Sequence, residues 1–261
     1  MKIAIIGAGA MGGAIAEGLI EKKLPASDLY VADPSEATRK RFASLGVNVS
    51  ADNAKVAKLA DVVMIVVKPW LVEQVIKGIK SSIDYARQTL VVVAAGITSE
   101  QLSEWLSKEG VLPQMALVIP NTAVSIGASM TFIAPINAEG EALAQVNQIF
   151  DMLGATIIVE ERQLAAGTAL ASCGIAYAMR YIRAAVEGGV ELGFKADDAQ
   201  QIVAQTVMGA ARLLQQPGAH PESEIDKVTT PGGITIRGLN EMEHAGFSSA
   251  VIRGLKAAMK S

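Results

Sequence analysis

Over residues 1–160 the apolar positions come in short runs, "KIAII", "LYVA", "VVMIVV", "LVVVA", "ALVI", "MTFIA" and "TIIVE", and amphipathic stretches separate them. Near-continuous β-branched runs that alternate with helices predict a parallel sheet covered on both faces. From Glu161 onward such runs stop and a longer period takes over: "RQLAAGTALASCGIAYAMRYIRAAVEGGVELG", "DDAQQIVAQTVMGAARLLQQ", "LNEMEHAG" and "FSSAVIRGLKAAMKS" all read as helices. Asp197 and Asp198 are expected to cap the second of these, and Pro217-Gly218 to stop it. The pattern therefore predicts an α/β domain over 1–160, doubly wound and mostly parallel, followed without a linker by an all-α domain over 161–261.

The hydrophobic share of 51% is high, yet charge interrupts every long apolar run. Arg180, Arg183 and Glu187 break the longest candidate, so no transmembrane helix is expected. The surplus apolar surface is expected to lie at a subunit interface. The first long helix is rich in small residues, with Gly167, Ser172 and Gly174 along it, which suits close packing within one subunit or across the axis of a two-fold homodimer. A net charge of -3 offers no basic face to nucleic acid or to an anionic membrane. The single cysteine, Cys173, cannot form an internal disulfide, and the first residues read as a strand with no signal peptide, so a cytoplasmic location is expected. Cys173 is expected to be a buried, inert thiol, and His220 and His244 are too few to suggest a metal site.

Candidate chemistry begins with "KIAIIGAGAMGGAIAEGL", where Gly7, Gly9 and Gly12 follow a strand and Ala10 and Met11 open a helix. Such a turn lets peptide N–H groups touch a pyrophosphate at the positive end of a helix dipole, as in a Rossmann-type dinucleotide fold. Asp33 stands about 20 residues further on, at the tip of the second strand, where a ribose contact belongs. A carboxylate there favours NADH, whereas Arg39, Lys40 and Arg41 could accommodate the 2′-phosphate of NADPH; the residues alone leave both open.

Three more stretches close strands at their carboxyl ends, where open α/β sheets bind ligands: "VVKPW", with Val67, Lys68 and Pro69; "VAAGIT", with Ala94, Ala95 and Gly96; and "IPNTA", with Pro120 and Asn121. Lys68 is either an electrostatic anchor beside the nicotinamide half or a surface lysine. Late in the chain, "TTPGGITIRGL" is more than a connector between helices needs. Pro231, Gly232 and Gly233 ahead of a helix offer backbone N–H groups to an anion, and Thr230 and Thr235 flank them with hydroxyls.

In this order and over nearly the whole chain, these segments resemble the pyrroline-5-carboxylate reductases. "GAGAMGGAI" looks like that family's cofactor turn, "VKP", "AAGIT" and "PNT" like its sheet-edge motifs, and "VTTPGGITIRGL" like its Ser/Thr-Pro-Gly-Gly-x-Thr loop, the most distinctive of them. The chain departs from the family at "LVIPNTA" (Leu117 to Ala123), where members usually carry arginine and methionine before "PNTP", and at "ASCGIAY" (Ala171 to Tyr177), usually "SGSGPAY".

The resemblance implies reduction of the C=N bond of 1-pyrroline-5-carboxylate to L-proline, with NADPH as the family's cofactor and NADH admitted by Asp33. It also implies a small cyclic imino acid as substrate and a homodimer or an assembly of dimers. Asn53, in "SADNAKVAKLAD", would contact the adenosine half, and Thr235 would meet the substrate nitrogen. The imine can enter protonated, so no strong acid is required. The Pro-Gly-Gly loop would serve the cofactor domain of its own subunit or of the other.

Two alternatives fit the same architecture less well. A β-hydroxyacid dehydrogenase needs a lysine in the first long helix, and Gln163 to Leu192 contains none. A dinucleotide-binding regulator would have no use for an anion cradle.

Overall fold

A computed structural model describes residues 1–259. The chain divides into two compact units, the first Met1–Ser172 and the second from Cys173 onward.

In the first unit, strands β1 (Ile3–Ile6), β2 (Leu29–Ala32), β3 (Asn48–Ser50), β4 (Val62–Ile65), β5 (Thr89–Val92), β6 (Gln114–Ile119), β7 (Ser129–Pro135) and β8 (Gly154–Ile158) form one sheet. Its order is β3-β2-β1-β4-β5-β6-β7-β8. Side chains alternate across the pleat, so Ile3, Ile5, Val62 and Met64 join one apolar layer and Ala4, Ile6, Val63 and Ile65 the other. Helices cover both layers: α1 (Ala10–Glu21), α2 (Glu36–Ser44), α3 (Asn53–Ala57), α4 (Pro69–Ile79), α5 (Ser99–Leu106) and α6 (Gly140–Asp151). Each fully buried isoleucine or leucine contributes about 1.5–3 kcal/mol to this double core.

All neighbouring strands are parallel except β6 and β7. That exception has a local cause. Asn121 caps a short 3₁₀ turn, Thr122–Ile126, and Gly127 with φ 67° reverses the chain, leaving no length for a crossover helix. The three residues of β3, on the sheet's edge, were too few for the hydrophobic pattern to announce a strand. The order of strands reverses between β1 and β4, and this is the position where such sheets open a crevice beyond the carboxyl ends of the strands.

The last strand ends at Ile158, but the first unit continues to Ser172. Helix α7 (Leu164–Gly167) lies against the sheet: Leu164 is buried, and a Cβ on Gly167 would come within 2.8 Å of the Phe132 ring. Gly167 is therefore small for the sake of packing inside its own unit. The single helix expected from Gln163 to Leu192 is interrupted by a π-helical stretch, Thr168–Ser172, before α8 (Cys173–Glu191) begins.

The second unit contains α8, α9 (Ala196–Leu214), α10 (Pro221–Val228), α11 (Ile234–His244) and α12 (Phe247–Ala258). Gly189 of α8 faces Ala199 of α9. The cap of α9 is Lys195; Asp197 and Asp198 lie in its first turn, where they complement the helix dipole without making a capping hydrogen bond. Helix α10 was not expected, although its start is orthodox: His220 Nδ1 accepts the Glu222 N–H at 3.3 Å and Pro221 takes the first helical position.

Among the described residues of this unit, Val186 and Ala199 are the buried apolar side chains, whereas Met179, Phe194, Leu213 and Ile252 stay exposed and Leu192 is 83% exposed. A helical unit this open lacks a core of its own. Cys173 is half-buried, more accessible than the sequence suggested. Among the described residues no helix is long and apolar enough to cross a membrane.

Candidate active site

Between β1 and α1 the chain must reverse within Gly7, Ala8 and Gly9. Gly7 has φ 91°, and a Cβ on it would come within 2.4 Å of the Val66 carbonyl oxygen; on Gly12 a Cβ would lie 2.0 Å from the Gly7 carbonyl oxygen. Close backbone approach dictates both glycines. Gly9 differs. It caps α1 with φ −67°, no side chain caps the helix, and a Cβ there would meet nothing within 4 Å. The N–H groups of Ala10, Met11 and Gly12 have no intrahelical partner. Uncapped donors at a positive helix end fit a pyrophosphate.

Hydrogen bonds between successive loops carry the sheet's order into this edge: Gly7 N–H donates to Ala32 O at 2.8 Å, Val66 N–H to Ile6 O at 2.8 Å and Val93 N–H to Ile65 O at 2.9 Å. Asp33 is buried beside the glycine turn. Its Oδ2 accepts the Ala8 N–H and its Oδ1 the Ser35 N–H, both at 2.9 Å. Of the three basic residues that follow, Arg39 alone folds over this corner, its Nη1 donating to Asp33 O at 2.7 Å and to Pro34 O at 2.8 Å. Lys40 pairs with Glu36, and Arg41 turns back to Glu17 and the Phe42 ring.

A cleft of about 450 Å³ opens at this edge, within the size range of small-molecule sites. Gly7, Asn53 and Val67 line it, and so do Leu71, Gln74 and Val75, which the sequence reading did not single out. Their spacing puts them on one face of α4, a signal that was available once Pro69 marked the helix start. Asp52 caps α3 by accepting the N–H groups of Ala54 and Lys55, which sets Asn53 at the cleft wall. Lys68 is the exposed cap of α4 and does not line the cleft.

Beyond β5, Ala94 is buried while Ala95 and Gly96 are exposed, Gly96 with φ 79°. A reciprocal capping box between Thr98 and Gln101 and a 2.9 Å bond from Ser99 N–H to Glu161 Oε1 hold this loop. Hydrogen bonds from its own backbone and from Thr98 hold the exposed Glu100 carboxyl below its usual range. After β6, Pro120 and Asn121 are buried, and the Asn121 side chain is occupied structurally: Oδ1 accepts the Ala123 N–H at 3.0 Å and Nδ2 donates to Ala171 O at 3.4 Å.

In the second unit, Thr230, Pro231, Gly232 and Gly233 form a type II β-turn. Proline is second, Gly232 is third with φ 70°, and the Gly233 N–H donates to Thr230 O at 2.9 Å. That bond removes the Gly233 amide from the free donors expected there, and Pro231 has none. The available N–H groups are those of Gly232 and of Ile234, Thr235 and Ile236 in the first turn of α11, which no side chain caps. A Cβ on Gly233 would come within 2.6 Å of Thr230 Oγ1, so the hydroxyl stands directly over the turn. Thr235 is the second residue of α11 and is exposed.

Residues 161–261 match the family model described as pyrroline-5-carboxylate reductase dimerisation, and residues 2–96 match one described as NADP oxidoreductase coenzyme F420-dependent. Pyrroline-5-carboxylate reductase 2 of Dictyostelium discoideum is 36% identical, covering 97% of this chain and 89% of the relative. The chain belongs to the pyrroline-5-carboxylate reductase family. Pyrroline-5-carboxylate reductase 1 of the same organism is 38% identical over 97% of this chain, which spans 48% of that longer relative. The crystal structure of Plasmodium falciparum pyrroline carboxylate reductase with NADP bound is similar with a TM-score of 0.86 and 25% identity, over 100% of this chain and 96% of the other.

Proposed function

We propose that the chain reduces the C=N bond of 1-pyrroline-5-carboxylate to give L-proline, with NADPH as the reductant and a homodimer as the working unit. The observation that carries this reading is the uncapped N-terminus of α11 behind its type II turn, a set of N–H donors suited to a small carboxylate in a chain that also carries a dinucleotide turn. In it the N–H groups of Gly232, Ile234 and Thr235 hold the substrate carboxylate, supported by the helix dipole. The Thr235 hydroxyl accepts a hydrogen bond from the protonated ring nitrogen and fixes the ring's orientation.

On the first unit, the N–H groups of Ala10, Met11 and Gly12 hold the phosphates, and Asn53, Leu71, Gln74 and Val75 enclose the adenosine half. The loops at Val67–Pro69, Ala94–Gly96 and Pro120–Asn121 border the nicotinamide half. When bound, the reduced nicotinamide supplies the hydride that adds to the C=N carbon. Arg39 supports NADPH over NADH: its guanidinium is anchored to two carbonyls at the corner after β2 and retains donors suited to a 2′-phosphate. The exposed apolar side chains of α8, α9 and α12 supply the dimer contact.

Incubating the purified protein with pyrroline-5-carboxylate and either coenzyme, and following nicotinamide absorbance, tests the proposal. Substrate-dependent oxidation, faster with NADPH, is the expected outcome. No oxidation with either coenzyme removes the reading.

A further inference from the structure

We infer that Asp33 is a positioning residue that sets the shape of the dinucleotide turn and does not read the 2′-position of the adenosine ribose. This rests on the assignment of the first unit's edge to a dinucleotide. The residue is 8% exposed and is tied at four points. Oδ2 accepts the Ala8 N–H at 2.9 Å, Oδ1 accepts the Ser35 N–H at 2.9 Å, its own N–H donates to Ser50 O at 3.2 Å, and its carbonyl accepts from Arg39 at 2.7 Å.

These partners belong to three segments: the bend after β1, helix α2 with its cap, and the end of β3. Ala32 and Pro34, the residues on either side, line the adenosine cleft, whereas Asp33 does not. The side chain thus points its charge at main-chain donors behind the bend. Ala8 is the middle residue of that bend, so its hydrogen bond fixes how the following peptide, and with it the open face of Gly9, is presented.

An ionised carboxylate suits this task because both oxygens accept. Asparagine has one acceptor oxygen and, in place of the other, an NH2 group that only donates, so in Asp33→Asn either Ala8 or Ser35 faces an N–H group with its own and loses its bond. A buried donor without a partner loosens the bend, and affinity for every ligand that uses the bend falls by the same factor.

Calorimetric titration of wild type and Asp33→Asn with NADP⁺ and with NAD⁺ tests this without turnover. The expected result is a rise of about tenfold in both dissociation constants, with their ratio constant within about twofold. At saturating coenzyme, kcat is expected to stay within about twofold while the coenzyme KM rises. A ratio that moves toward NADP⁺ by tenfold would place the carboxylate at the ribose and overturn the inference. So would unchanged affinities.

Amide hydrogen exchange of wild-type Ala8 is an independent check should the variant fail to fold. Slow exchange in the coenzyme-free protein is expected, and exchange at the rate of an open peptide would also overturn the inference. Wild type that binds both coenzymes without reducing the imine would sink the proposed reaction alone; wild type that binds neither would sink both.

Discussion

Gly9→Ala separates binding from folding at the dinucleotide turn. Gly9 has a negative φ, so alanine is sterically permitted, and its Cβ would meet nothing within 4 Å. A methyl there slightly weakens the helix cap and slightly lowers the entropy of the unfolded chain, and these opposing effects leave folding changed by less than about 1 kcal/mol. In a protein of this size that moves Tm by at most about 4 °C. The methyl stands in open space at the start of α1, with no atom of Met11 or Gly12 within 4 Å, and a phosphate seated on the α1 N–H groups is expected to meet it and lose at least one of those bonds. A charge-assisted hydrogen bond of about 1.5–3 kcal/mol is lost, so the NADP⁺ dissociation constant rises roughly 10- to 150-fold.

Gly12→Ala is the informative contrast. Its Cβ would sit 2.0 Å from the Gly7 carbonyl oxygen, a backbone atom that cannot swing away, so folding itself is damaged by about 1–3 kcal/mol. Thermal melts and calorimetric titration of both variants give the answer. Gly9→Ala that binds NADP⁺ as wild type does would refute the phosphate site.

Further outcomes follow from the same geometry. Thr235→Ala should lower kcat about 10- to 100-fold, by loss of one hydrogen bond to the ring nitrogen, with NADP⁺ affinity unchanged; equal loss of both would mark the threonine as structural. Arg39→Ala should weaken NADPH about tenfold and leave NADH within about twofold, and parallel loss would remove Arg39 from the 2′-phosphate. Light scattering at micromolar concentration should report a dimer or a multiple of one, because the second unit exposes Leu192, Ile252 and Met179; a monomer would contradict it.

Much of the fold was legible because the sheet is parallel and doubly covered, so each central strand reads as a continuous apolar run. β3 was not legible, since three edge residues carry no period. The antiparallel turn into β7 depends on Gly127 taking a left-handed conformation, which a lone glycine does not announce. Helix α10 does carry a start signal in the sequence, the capping residue His220 followed by proline and two early glutamates. The π stretch at Thr168–Ser172 directly follows the turn in which Leu164 and Gly167 pack on the sheet, and the helical period of the sequence runs through it without a mark.

The site was legible in outline and less so in its donors. Gly7, Gly9 and Gly12 take their places through strand–turn–helix order alone. Which amides of the Pro-Gly-Gly turn are free required the bond from Gly233 N–H to Thr230 O. Similarly, Asp33 and Asn121 are polar residues at strand ends, and that their side chains accept main-chain N–H bonds is visible only in three dimensions.

The most direct measurement is a crystal structure of the protein with NADP⁺ and L-proline bound. The proline carboxylate is expected on the N–H groups of Ile234 and Thr235, its ring nitrogen at Thr235 Oγ1, and the dinucleotide phosphates on the N–H groups that follow Gly9. Proline bound away from the turn at Thr230–Gly233, or phosphates away from Gly9, would contradict the assignment.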